Sequence, residues 1–233
     1  MDYPDITGTG LDRAARDNFA GIDDIIPDLL HLLPRCDENV TIRMAIAEAA
    51  QQFCRDTDVF KVKSNRIDAV ADQLTYDITT NYPAEIKTVP QVKVYTGDDS
   101  DSAATLAQTL TGANFEIEDW LEEVTLVLPV AISIPTDEVA VLVADLVLIP
   151  TLDEMWGSYA SAFPQPFLRR WRAAFAAGAL ASLAAMNGKP WHNPSLAQEK
   201  FMQYHSLKEE AIAKNMMGMK SGGLSCRNPE PWI

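Results

Sequence analysis

The chain has little of what catalysis usually needs. Its 233 residues include three histidines and three cysteines. It has no phosphate-cradling glycine loop, no G-x-S-x-G turn, no H-E-x-x-H helix and no C-x-x-C pair. His31 falls in an apolar helical stretch, where a core or boundary histidine is expected. His192 falls in a connector beside Trp191, and His205 on a helix face near Tyr204 and Glu209. Packing, loop geometry and solvation account for all three. The cysteines Cys36, Cys54 and Cys226 are odd in number and widely spaced. They read as reduced thiols of a cytosolic product, not as a disulfide frame or zinc site. Long apolar runs are also missing, since nothing approaches the ~20 residues of a membrane span. The first residues lack the basic start and apolar core of a signal peptide. The expectation is therefore no enzyme, no cofactor, no metal and no membrane.

Basic charge is scarce and unevenly placed. The formal net charge is −14. Residues 1–165 hold 10 Lys/Arg against 29 Asp/Glu, a balance of −19, whereas residues 166–233 hold 9 against 4, a balance of +5. An acidic body argues against nonspecific nucleic-acid binding, which works by neutralising phosphates. A basic end on an acidic body suits ordered contact with another protein or with an identical neighbour. The acidic groups Asp98-Asp99 and Glu116–Glu123 lack the alternating ligand pattern and turn glycine of a calcium loop, so they read as solvated charge.

The clearest organisation lies between Phe163 and Ala213. Pro166 suits a first helical position, and Phe167, Trp171, Phe175 and Ala179 recur at i+4 among helix-favouring alanines. Asn187-Gly188 is a stop signal. After the connector Lys189-Pro190-Trp191-His192, Asn193 caps a second helix with Pro194 in its first turn. Its apolar face takes in Ala197, Phe201, Tyr204, Leu207, Ala211 and Ile212. Upstream, Ile22 to Leu33 reads as a short, very apolar helix ended by Pro34. Asp37 caps a longer one to about Arg55 or Thr57, with Val40, Ile42, Met44, Ala45, Ile46, Ala49, Ala50, Phe53 and Cys54 as its stripe.

Between these helices the period changes. Val59–Lys63, Leu74–Ile78 and Val92–Tyr95 alternate as strands do. Glu123–Leu128 and Glu138–Val143 read as two strands of a hairpin joined through Pro135-Thr136-Asp137. Pro83, Pro90 and Pro129 restrict where ladders can run. The fold class is thus α+β: a helical bundle built from N-terminal helices and a C-terminal helical hairpin, with an inserted small antiparallel β-sheet or sandwich. The divisions are a flexible N-terminal arm (1–21), the bundle (22–58 plus 160–215), a β-rich insertion and linker (59–159), and an extended C-terminal tail (216–233). Trp156 and Tyr159 belong to the linker. In Arg169-Arg170-Trp171-Arg172, helical spacing turns Trp171 to the core and leaves the arginines as a rim. The tail is Met- and Gly-rich and ends Pro231-Trp232-Ile233, a composition suited to adaptable contact.

Two stretches carry a family resemblance. One is Ile25-Ile26-Pro27-Asp28-Leu29-Leu30 through Cys36, followed by Ile42…Ala45-Ile46…Ala49-Ala50…Phe53-Cys54. The other is Leu168…Trp171…Ala174–Leu180, then Gly188-Lys189-Pro190-Trp191 and Asn193-Pro194…Ala197. Together they resemble the neck adaptor (head-to-tail connector, or head completion) proteins of tailed bacteriophages, over roughly half the chain. The resemblance implies a non-enzymatic virion protein of the neck, assembled in the host cytoplasm. It would form a homo-oligomeric, dodecameric ring beneath the portal protein, extend the DNA channel without reading sequence, and offer a surface to the tail or next neck protein. The candidate portal or neighbour contacts are Arg169, Arg170, Arg172, Met216, Met217, Met219, Leu224, Arg227, Trp232 and Ile233. A tail-side terminator or tube-attachment protein is the alternative structural reading, and a small cytosolic enzyme with a site assembled from distant residues is the third.

Overall fold

The structure, a computed structural model, describes residues 19–33, 36, 39–70, 72–80, 84–97, 105–112, 115–120, 123–129, 139–151 and 163–221. It is mixed α+β with antiparallel sheets. The chain enters through β1 (Phe19–Ala20), which pairs antiparallel with β10 (Phe163–Pro164). Residues 19–20 of the expected arm form this strand, and residues 1–18 lie outside the described residues. A 3-10 turn at Ile22–Ile25 leads into α1 (Ile26–Leu30). Leu29 is fully buried, but Leu30 and Leu32 are each 40% exposed and His31 is exposed as well. One turn of helix can bury only one side, so of the very apolar stretch expected as one helix, with a core or boundary histidine, Ile22, Ile25, Leu29 and Leu33 are buried and His31 stands outside the core.

Helix α2 (Asn39–Thr57) runs where the periodicity places it. Its buried line includes Ile42, Ala45, Ile46, Ala49, Ala50 and Phe53, whereas Val40 and Met44 stay exposed, contrary to expectation. Asp37, its expected cap, lies outside the described residues. Helix α3 (Gln165–Ala185) and helix α4 (Pro194–Ser221) form the hairpin. Helices α2, α3 and α4 pack on one another, and α2 also lies against the sheet. Phe53 stands at the centre, with ring centroids 5.2 Å from Trp171, 5.6 Å from Phe175 and 6.1 Å from Tyr204. A second aromatic group, Phe60, Phe163 and Phe167, joins it through Phe175. One continuous cluster of buried side chains spans helices and sheets.

The larger sheet has the order β2 (Lys61–Lys63), β9 (Val139–Pro150), β5 (Ala84–Gly97), β6 (Thr105–Thr111), with β3 (Ile67–Asp68) also on β9. Strand β9 is central because β5 pairs along its whole length, from Ala84 opposite Pro150 to Gly97 opposite Val139. Strands β2 and β3 divide its other edge. Between them the buried Ser64 hydroxyl accepts from the Ala144 N–H at 2.9 Å and donates to the Asn65 carbonyl, which satisfies it. Pro90 does sit in a ladder, despite lacking an N–H. Register shifts on either side of Thr88 insert extra residues there, so the proline falls where no ladder bond is required.

The second sheet has the order β4 (Thr75–Ile78), β8 (Glu123–Val127), β7 (Glu116–Trp120). This corrects the expected hairpin between 123–128 and 138–143, since β8 and β9 belong to different sheets. Strand β8 pairs instead with β7, opposing Trp120 to Glu123 across a two-residue connection. A closure so short costs less chain entropy than one through residues 128–138. The linker residues Trp156 and Tyr159 lie outside the described residues.

Candidate functional site

The helical hairpin holds most of the candidate contacts. Pro164 stands at the N-cap of α3 and a proline occupies its first turn, as the sequence suggests. At the other end Gly188 has φ +78°, a left-handed conformation that glycine adopts without strain. Asn193 then caps α4, its Oδ1 accepting from the Leu196 N–H at 3.1 Å. Trp191 is buried between the two helix ends, with the Lys189 ammonium 5.2 Å from its ring centroid. The string Gly-Lys-Pro-Trp-His-Asn-Pro is thus a built corner that fixes how the two helices enter and leave.

The arginine triplet is divided by its neighbours. Trp171 is buried, and its ring lies 5.2 Å from the Arg170 guanidinium and 5.8 Å from the Lys214 ammonium. Arg169 and Arg170 are exposed at the start of α3. Arg172 is committed within the chain: its Nε donates to Asp28 at 2.6 Å, and its Nη2 to Asp28 at 3.0 Å and to the Asp24 carbonyl at 2.7 Å. This two-pronged bond ties α1 to α3, so Arg172 braces the two helices. Nothing local in the sequence announces it, because the pair is 144 residues apart.

The expected extended tail does not begin at residue 216. Helix α4 continues to Ser221, because Met and Lys favour helix and the single Gly218 costs only about 1 kcal/mol. Met216 is 62% exposed, and Met217 and Met219 lie on the last turns. Leu224, Arg227, Trp232 and Ile233 lie outside the described residues, as does Cys226. On the first turns of α4, Phe201 is 55% exposed, not buried as its spacing suggests, and its ring meets His205 edge-on at 4.4 Å. Val40, Met44, Phe201, Met202 and Met216 leave the helical layer with apolar side chains in water.

Below this surface the helices are joined by polar groups. The Tyr204 hydroxyl donates to the Ala49 carbonyl at 3.2 Å, and burial raises its pKa well above the ordinary tyrosine value. Burial likewise pushes the Cys54 thiol up, so it stays protonated, and Cys36 and Cys54 are both buried. Burial alone would raise the Asp56 carboxyl, but hydrogen bonds from Gln52 and Lys208 and the charges of Lys208 and Lys87 outweigh it. Its pKa is held below the usual carboxylate range. A lowered folded-state pKa stabilises above the unfolded value, and that stability is lost as pH falls through the folded value. Urea midpoints should therefore drop as pH falls below about 4, the ordinary aspartate value, and Asp56→Asn should flatten that part of the profile. An unchanged profile would show that the Asp56–Lys208 contact at 2.9 Å contributes nothing in solution.

Among the described residues no group of three or more His, Cys, Asp or Glu side chains could hold a metal ion. No described helix is long and apolar enough to cross a membrane. His192 is exposed, and His205 is half-buried with its ring against Phe201. No family model matches the chain, and no curated protein matches it significantly.

Proposed function

We propose that the chain is a neck adaptor of a tailed bacteriophage, a virion protein that forms a ring between portal and tail. In this reading α2, α3 and α4 are the bundle from which the ring is built, and the sheets are its insertion. The observation that carries it is the α3–α4 corner. The residues that bear the resemblance, Gly188 to Pro194, are those that close one helix, bury Trp191 and cap the next. The exposed apolar residues of the same layer support assembly, since an apolar side chain left in water is stabilised when another protein covers it. The charge division supports a contact between unlike faces of identical copies, which closes into a ring by rotation. Residues 222–233 and the exposed Met216 are the proposed portal-facing end. DNA passes through the channel without sequence-specific contact.

The test is co-purification with the phage's portal protein, comparing the full chain with one ending at Ser221, which keeps α4 whole. Complexes would be sized by native mass spectrometry and negative-stain microscopy. A ring on the portal, lost on truncation, is the expected result. Association with tail protein but not portal would overturn the adaptor reading in favour of a tail-side component.

A further inference from the structure

Carboxylates outnumber lysines and arginines 33 to 19 in this chain, so a cation in the fold readily finds one. Arg43 meets Asp23, Lys87 meets Asp58, Lys93 meets Asp145, Arg172 meets Asp28 and Lys208 meets Asp56, each within 3.0 Å. Lys61, Arg169 and Arg170 stand apart. All three are exposed, and none has a carboxylate partner among the described residues. Lys61 donates to the Asn215 side chain, a neutral amide that leaves its charge unmatched. Arg170 lies over the Trp171 ring, with Arg169 beside it on α3. Helix α4 joins these places into one surface. Its Lys214 reaches the same Trp171 ring, and the next residue is the Asn215 that holds Lys61. Asn215 also donates to the Thr57 and Asp58 carbonyls, which fixes it against the end of α2. Lys214 is paired with Glu210, so Lys61, Arg169 and Arg170 remain as unmatched positive charge.

The opposite character belongs to the outer face of the smaller sheet. Strands β4, β7 and β8 contain no lysine or arginine. Tyr76, Ile78 and Leu126 turn into the core. The alternate positions therefore share the other face: Thr75 and Asp77 on β4, Thr125 and Val127 on β8, and Glu116 on β7. Register sets Thr75, Val127 and Glu116 in one row, and Asp77 beside Thr125 in the next. Asp77 and Glu116 are exposed, and neither has a cation partner among the described residues. Between them stand only short side chains, two threonines and a valine, so a partner can approach the sheet closely.

We propose that the Lys61–Arg169–Arg170 surface of one copy receives the outer face of the smaller sheet of the next copy. Asp77 and Glu116 then supply the carboxylates that these cations lack within their own chain. Neither surface suits a two-fold contact with itself, because like charges would face each other. The two belong to different elements, so the contact is head-to-tail and repeats by rotation. This contact rests on the reading that copies of the chain form a ring, and it names the surfaces that meet.

The test is charge exchange in the full-length chain, with self-association read by sedimentation velocity and native mass spectrometry, alone and with the portal protein. R169E/R170E and D77K/E116K should each weaken association about tenfold or more, roughly the loss of one good charged contact. Mixing the two reversed chains restores assembly, because each then meets its complement in the other and the copies alternate. The fourfold variant likewise recovers to within about threefold of the starting chain. Raising salt weakens the native contact, although it would relieve general repulsion between acidic bodies. Melting by circular dichroism checks folding. If a reversal unfolds the chain, R169Q/R170Q and D77N/E116Q replace it, with an expected loss of about threefold each. Assembly that is unchanged in the folded variants overturns this contact and leaves the ring reading intact. Loss that neither mixing nor the fourfold variant repairs does the same, as does loss of portal binding with self-association kept. A native chain that stays monomeric alone and with the portal overturns both.

Discussion

Phe53→Ala is expected to lower the unfolding free energy by about 3–5 kcal/mol, the usual cost of emptying a fully buried phenylalanine site. The residue is completely buried in α2 and meets Trp171 and Phe175 of α3 and Tyr204 of α4. Its removal loses apolar transfer energy and leaves a cavity against three helices at once. Collapse is restrained, because Tyr204 is tied to the Ala49 carbonyl at 3.2 Å and Phe175 is held by Phe163 and Phe167. For a chain of this size the melting temperature should fall by roughly 10 °C or more. Phe53→Leu, which keeps most of the volume, should lose less than half as much. Urea unfolding of the three proteins decides it. A loss below about 1 kcal/mol for the alanine variant would mean that the three helices do not share this core.

How much of this was legible in the sequence depends on how local each signal is. The α3–α4 hairpin was readable because its evidence lies within a few residues: i+4 aromatics, a glycine that can take positive φ, an asparagine cap. Strands β8 and β9 were readable as strands for the same reason. Their partners were not, because pairing is decided by which closure is cheapest, and β7 hid inside a run of carboxylates that reads as solvated charge. The start of β5 was masked by Pro90, whose tolerance depends on register shifts that no sequence period shows. At the candidate contacts, Trp171 was correctly turned inward by spacing, while the role of Arg172 depended on Asp28, far away in the chain. Val40, Met44 and Phe201 fit an apolar stripe yet stay in water. Periodicity finds the apolar side of a helix, but the width of what covers it is a property of the packed neighbours.

Gly178 supplies a test whose sign is set by that packing. Glycine inside a helix costs about 1 kcal/mol relative to alanine, so Gly178→Ala would stabilise α3 if space allowed. Space does not allow it. An added Cβ would lie 2.8 Å from the Ala49 Cβ and 2.9 Å from the Tyr204 Cε2, closer than carbon atoms approach without strain. Neither neighbour yields easily, since Ala49 has no rotamer to change and Tyr204 is anchored to the Ala49 carbonyl. The expected result is a net loss of about 1–3 kcal/mol, the usual cost of overpacking. Gly178→Leu should lose more and also weaken any assembly that needs α3 straight. Ala49→Gly in the Gly178→Ala background should recover part of the loss, because it removes one of the two clashing partners, and the double-mutant cycle gives the size of that coupling. A neutral or stabilising Gly178→Ala would mean that α2 and α4 do not cross α3 at this glycine. The close three-helix contact of α2, α3 and α4 would then have to be given up.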